Sequence, residues 1–165
     1  MAAWESITGD EVIKRLERER GKTQVEIVEG GLRLALEVAD LDRIGVAVNH
    51  LEMEVTSSQP MLAEERNQRS WMMATTLTDC TTYLLEKLGL VEWDKEVGTL
   101  LIRSSPPDRS SKGIAYYEVS ILGGTFLSLD RYVFCNEKRM RERRAMHFTR
   151  EVFARLIDHL VEGCR

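Results

Sequence analysis

Two Gly-Gly pairs, Gly30-Gly31 and Gly123-Gly124, each sit between runs of alternating apolar and polar residues, and this arrangement constrains the fold more than any other feature of the chain. Alternation with a period of two marks strands, and a two-residue corner in which both positions tolerate φ > 0 marks a tight hairpin. Around the first corner, Val25-Glu26-Ile27 and Leu32-Arg33-Leu34-Ala35-Leu36-Glu37-Val38 are expected to pair with Ile27 opposite Leu34 and Val25 opposite Leu36. Glu26 and Glu37 are then left to solvent. Around the second corner, Ile114 to Leu122 and Thr125 to Phe134 form a hairpin with apolar groups on both faces, which places it centrally in a sheet or in an interface.

Between the hairpins the alternation Ile44, Val46, Val48 changes phase at Asn49-His50 before resuming as Leu51, Met53, Val55. Either a bulge lies within one long strand or Asn49-His50 is a tight turn. The bulge is favoured, because His suits the second turn position poorly. Leu90-Val91-Glu92-Trp93 and Thr99-Leu100-Leu101-Ile102 read as two further strands about a turn containing Asp94 and Gly98. Residues 104–113, rich in Ser and Pro, read as a mobile surface connection.

Three helices complete the pattern. Thr8-Gly9-Asp10-Glu11 is a capping box, with Ile7 and Val12 at the spacing of a hydrophobic staple, so a first helix starts near Gly9 and stops at Gly21. A second runs from Pro60 through Leu62, Trp71, Met72, Leu77, Cys80 and Leu84 to Leu88, with Gly89 as terminator. Thr75, Thr76, Thr78 and Thr82 lower its intrinsic propensity, so packing must hold it. A closing helix carries Phe148, Val152, Phe153, Leu156, Ile157, Leu160 and Val161 on one face and ends at Gly163. The order α-β-β-β-α-β-β-β-β-α implies an α+β fold, an antiparallel sheet with helices packed mainly on one face, as a single domain over residues 1–165.

Charge is unevenly spread. Lys138-Arg139-Met140-Arg141-Glu142-Arg143-Arg144 sums to +4 and leaves −8 for the rest of a chain whose net charge is −4. Lys138, Arg139, Arg141, Arg143, Arg144 and His147 are therefore the candidate contacts for an anionic ligand or acidic partner, forming a cationic ridge if the closing helix begins early. An ordinary solvated helix face is the competing reading. The acidic balance argues against general nucleic-acid binding, which needs a broad cationic excess. Trp71, Met72 and Met73 are candidates for an apolar partner groove, with core packing as the plainer reading.

The residues support no reaction. His50, His147 and His159 are isolated in sequence; His147 and Glu151 have the spacing to share a helix face, but no further metal ligand accompanies them. The glycine pairs lie between strands, whereas a phosphate cradle opens a helix. Cys80, Cys135 and Cys164 are odd in number and widely spaced, so neither a disulfide framework nor a zinc site is expected, and Cys164 lies near a frayed end. No catalytic residue, cofactor or metal is assigned. Glu5 and the lack of a cationic, apolar start argue against a secretory signal, no stretch reaches membrane-spanning length, and a cytoplasmic location is expected.

The order of elements, the acidic balance and the size resemble the small chaperones of type III secretion and their bacterial relatives. The resemblance spans most of the chain as a succession of elements, with more strands after the middle helix than that pattern has. It implies a non-enzymatic homodimer that binds an extended or amphipathic segment of a protein partner, and the leading expectation is a cytoplasmic protein-binding module with the middle helix and second hairpin as candidate interface. The alternative is a domain or enzyme that takes an anionic small molecule in a pocket between sheet and helices.

Overall fold

The computed structural model describes residues 7–56, 59–84, 86–110 and 113–164, apart from the side chain of residue 80. The Thr8 hydroxyl accepts the Glu11 N–H at 3.2 Å and opens α1 (Gly9–Arg18), with Ile7 and Val12 buried beside it. Next, β1 (Gln24–Glu29) and β2 (Leu32–Leu41) pair in the expected register, Ile27 with Leu34 and Val25 with Leu36. The following β3 (Gly45–Val55) is one continuous strand with a bulge: Glu37 pairs with His50 and Val38 with Val48, leaving Asn49 without an opposite residue in β2. Asn49 donates to Glu37 at 3.4 Å, so Glu37 is half-buried while Glu26 is exposed.

The second helix, α2 (Ala63–Cys80), is shorter than the sequence suggests. Pro60 lies outside it, and Leu62 occupies the N-cap position without a side-chain cap. At the other end the threonines do more than lower propensity, because their hydroxyls bond the helix's own carbonyls: Thr75 to Trp71 and Met72, Thr78 to Thr75, and Thr81 to Leu77. Thr81 leaves the helical conformation, and Leu88 and Gly89 belong to a strand.

Seven strands follow rather than four: β4 (Leu88–Asp94), β5 (Thr99–Ser104), β6 (Asp108–Ser110), β7 (Gly113–Leu122), β8 (Phe126–Cys135), β9 (Met140–Arg144) and β10 (Met146–Thr149), before α3 (Arg150–Gly163). The three additions lie where a loop and a helix start were expected. Part of the Ser-rich connection pairs with β7 as β6. The basic run is strand, since Arg139 takes a left-handed conformation (φ 50°) that folds residues 140–144 back onto β8. Phe148 lies in β10, because the Thr149 hydroxyl accepts the Val152 N–H at 3.1 Å and so fixes the start of α3 one residue later.

All strand pairings are antiparallel, in the order β1-β2-β3-β8-β7-β5-β4. The second hairpin is central, as its two apolar faces imply. Its corner has three residues, with Thr125 outside β8. At one point the sheet divides. The β3–β8 pairing covers only Leu51–Glu54 against Phe126–Leu129; beyond it the run from Met140 to Thr149 enters the gap, bonded first to β8 as β9 and then to β3 as β10.

One face of the sheet carries Leu32, Leu34, Leu36, Leu51, Met53, Leu100, Ile102, Val119, Ile121, Leu127 and Leu129, all at most 1% exposed, beneath the helices. Within that layer α3 touches both α1 and α2. Cys164 is not frayed but buried at the end of α3, its Sγ 3.9 Å from the Met53 sulfur, and burial pushes its thiol pKa up to about 11. The α2 helix is tied to both hairpin corners on its side: Ser70 donates to the Gly98 carbonyl at 2.8 Å and Arg69 to the Gly124 carbonyl at 3.1 Å.

Gly124 is thus constrained twice, by a φ of +72° and by α2, since a Cβ there would lie 2.8 Å from the Arg66 carbonyl oxygen. Gly21, at φ +95°, has nothing within 4 Å of that position. Gly21→Ala is expected to cost about 1 kcal/mol from backbone strain alone. Gly124→Ala adds overpacking and is expected to cost about 2–4 kcal/mol. Denaturant midpoints of the two variants measure the difference, and equal losses would show that α2 does not press on the corner.

Candidate functional site

The face without helices carries a ladder of charges. In β9 the side chains of Arg141 and Arg143 project onto it, Arg143 meeting a carboxylate of the adjacent β8 and Arg141 reaching across β8 to one of β7. Arg141 donates to Glu118 at 2.9 Å while its guanidinium lies 3.9 Å from the Tyr132 ring centroid. Glu118 also accepts from Arg103 at 2.8 Å. Arg143 lies 3.2 Å from Asp130. On the opposite face Arg144 pairs with Glu142 at 3.0 Å, and Lys138 approaches the same carboxylate at 3.8 Å. Alternation in a strand therefore separates cations that a helix would have gathered on one ridge. Arg139 is in the turn, and His147 is exposed on β10, outside the helix that holds Glu151.

His50 occupies the point where β3 and β8 part. Its Nδ1 lies 2.6 Å from Asp130 and its Nε2 2.9 Å from Glu52, which also accepts from Arg33 at 2.9 Å. Burial works against a charge on the ring, yet the bonds to Asp130 and Glu52 outweigh it and hold the His50 pKa above its ordinary value. His50 and Arg33, in turn, hold the Glu52 carboxyl below the usual range. With each ring nitrogen engaged by a carboxylate, His50 presents neither a base nor a metal ligand to a substrate. It acts as a bolt between strands. His159 is likewise engaged, by the Tyr83 hydroxyl at 2.9 Å.

Two concavities bear on the sequence candidates. A cleft of about 530 Å³ lies at the far end of the β7–β8 hairpin, lined by Val133, Cys135, Lys138, Glu142 and Arg144 among others. It holds two of the expected cations, but Glu142 sits between them. A smaller groove of about 290 Å³ runs between α2 and β4, with Trp71, Ala74, Thr78, Lys87, Leu88 and Leu90 in its walls. Of the three apolar candidates, Met73 is core at 2% exposed, whereas Trp71 and Met72 are 42% and 58% exposed. The Trp71 ring stacks on Trp93 of β4, with centroids 4.8 Å apart. Leu90 and Val91, 46% and 54% exposed, continue the apolar surface along β4.

No strand among the described residues pairs with the outer edge of β4. The sequence presented Leu90 and Val91 only as strand residues. Their exposure follows from the placement of β4 at the end of the sheet, which no local pattern announces. Among the described residues there is no group of three metal-ligating side chains, and no helix is long and apolar enough to cross a membrane. No family model, curated protein or solved structure matches the chain.

The folded-state rise in the His50 pKa has a definite sign. A proton held more tightly by the fold stabilises it fully below the unfolded value, about 6.5, and that contribution is lost as pH rises through the higher folded value. Wild type is therefore expected to lose stability relative to His50→Gln between about pH 6 and about pH 8.5. Urea midpoints at the two pH values check this, and a constant difference would refute the charged bolt.

Proposed function

We propose that this chain is a non-enzymatic, chaperone-like protein-binding module acting in the cytoplasm, and that it docks polypeptide along the flank formed by α2 and β4. The observation that carries the reading is the groove between α2 and β4 that Trp71 and Leu90, 42% and 46% exposed, line together, beside a strand edge with no partner among the described residues. An unpaired edge offers backbone donors and acceptors to an extended segment, and pockets beside it receive alternate side chains. Trp71 suits this role because it supplies a large contact area in the wall of the groove.

The anionic-ligand alternative draws less support. Four of the cations on which it rested are in ion pairs, Arg141 with Glu118, Arg143 with Asp130, and Lys138 and Arg144 with Glu142. Each would have to exchange an existing carboxylate for the ligand.

A peptide-display selection against dilute immobilised protein is expected to enrich extended apolar segments whose binding perturbs tryptophan fluorescence. Trp71→Glu is expected to weaken them at least tenfold while Arg141→Ala leaves them unchanged. That substitution also loses the Trp71–Trp93 stack, about 1 kcal/mol, so its thermal melt is read alongside. Thermal stabilisation by phosphate or citrate that depends on Arg144 and Lys138, with no peptide bound at the flank, would overturn the proposal in favour of the alternative.

A further inference from the structure

We propose that the open face of the sheet, where β7, β8 and β9 lie beside β5 and β6, binds a short single-stranded nucleic acid, independently of the α2–β4 flank. The strand registers define the surface. Ile114, Tyr116 and Glu118 alternate along β7 away from the helices, and pairing places Phe134, Tyr132 and Asp130 of β8 beside them in that order. Arginines bank this strip on both sides. Arg109 of β6 pairs with Ile114 and Arg103 of β5 with Glu118, while on the other side of β8 Arg141 pairs with Phe134 and Arg143 with Tyr132. From β6 to β9 is three strand spacings, roughly 14 Å, which accommodates two or three stacked bases.

Flat groups run across the strip in sequence. The Arg103 guanidinium lies 5.2 Å from the Tyr116 ring centroid, the Tyr116 and Tyr132 centroids are 6.1 Å apart, and the Arg141 guanidinium lies 3.9 Å from that of Tyr132. Bases of any identity stack on rings and guanidinium planes of this kind. Charge is arranged for a phosphate backbone as well. The Glu118 and Asp130 side chains are only 10% and 9% exposed, against 39%, 41% and 44% for Arg103, Arg141 and Arg143, so the strip turns its cations to solvent and keeps its carboxylates beneath. Arg103 bonds Glu118 through Nε alone, and Arg109 is exposed with no partner among the described residues. Both can meet phosphates while every ion pair stays closed. Toward β2 the face turns acidic, with Glu26, Glu52 and Glu54 gathered about Arg33. That half repels phosphate and confines the strand to the β5–β9 side, which is how a chain of net charge −4 holds a short segment without the broad cationic excess that a duplex needs.

Fluorescence anisotropy of a labelled single-stranded decanucleotide of mixed sequence, at about 50 mM salt, is expected to saturate as the full chain is added up to about 100 µM, with the duplex of the same sequence bound at least fivefold more weakly. Tyr116→Ala and Tyr132→Ala are each expected to weaken binding about fivefold or more, and Tyr132→Phe, which keeps the ring, to bind as wild type does. Thermal melts accompany the alanine variants, because both residues also pack in the sheet. Arg109→Ala, at an exposed position without a partner, leaves the fold intact and is expected to weaken binding and to reduce the slope of log affinity against log salt by about 0.7. Trp71→Glu is expected to change nothing here, which separates this face from polypeptide docking at the flank. No rise in anisotropy at about 100 µM protein would overturn the proposal. So would binding indifferent to both tyrosines, or equal binding of the duplex or of a poly-glutamate peptide, since each of these shows charge attraction without stacking.

Discussion

The fork between β3 and β8 is the constraint on which the rest of the sheet depends. An antiparallel pair that separates after four residues leaves two rows of backbone groups without partners, and burying such groups is costly. The run from Met140 to Thr149 removes the cost by bonding to one strand and then the other. His50, Asp130 and Arg143 come from the three strands that meet there, so opposite charges stand where backbone pairing changes hands. The bulge at Asn49 falls at the same place, adding local twist just as β3 leaves β8. Because Met146 and Phe148 are buried on β10, closing the fork also delivers the chain to the start of α3, the helix that covers the sheet.

This explains what was legible in the sequence. Both hairpins, the first helix cap and the bulge depend on residues within about ten positions of one another, and local pattern expresses such features fully. The end of α2 was misread because Leu84 and Leu88 continue a helical spacing by coincidence. The competing signal was present in the threonines, whose hydroxyls draw off the backbone carbonyls. The basic run was misread for a different reason. Arg139, Arg143 and His147 fit a helical period, but the carboxylates that the run meets, Asp130 for Arg143 and Glu118 for Arg141, lie on strands it reaches only once the fork exists. A charge pattern whose partners are long-range carries no local mark of strand or helix.

The same distinction separates the two candidate sites. The cationic residues looked functional because an excess of one sign usually implies a missing partner. Tertiary structure supplies that partner from within the chain, and the net acidity of the remaining residues is in part the complement to this run. Trp71 reads in the sequence as a candidate for a partner groove with core packing as the plainer reading, and Leu90 and Val91 read only as strand residues. Their exposure arises from topology, since the sheet order ends at β4 and α2 lies over β5 and β7 as well as β4, leaving its outer flank uncovered.

An exposed edge is ordinarily blunted by charge, by brevity or by a bulge, and β1 and β4 treat the problem differently. On β1 the edge carries charge, with Glu26 and Glu29 exposed and Glu26 paired with Arg33 at 3.4 Å. On β4 the sole irregularity is the bulge at Val91, set among apolar side chains rather than charges. A bulge in that setting does not close the edge; it restricts which strand fits. Only a partner whose backbone phase changes at the same place can pair along the whole of β4. The irregularity that would guard an edge in a polar setting here acts as a selector.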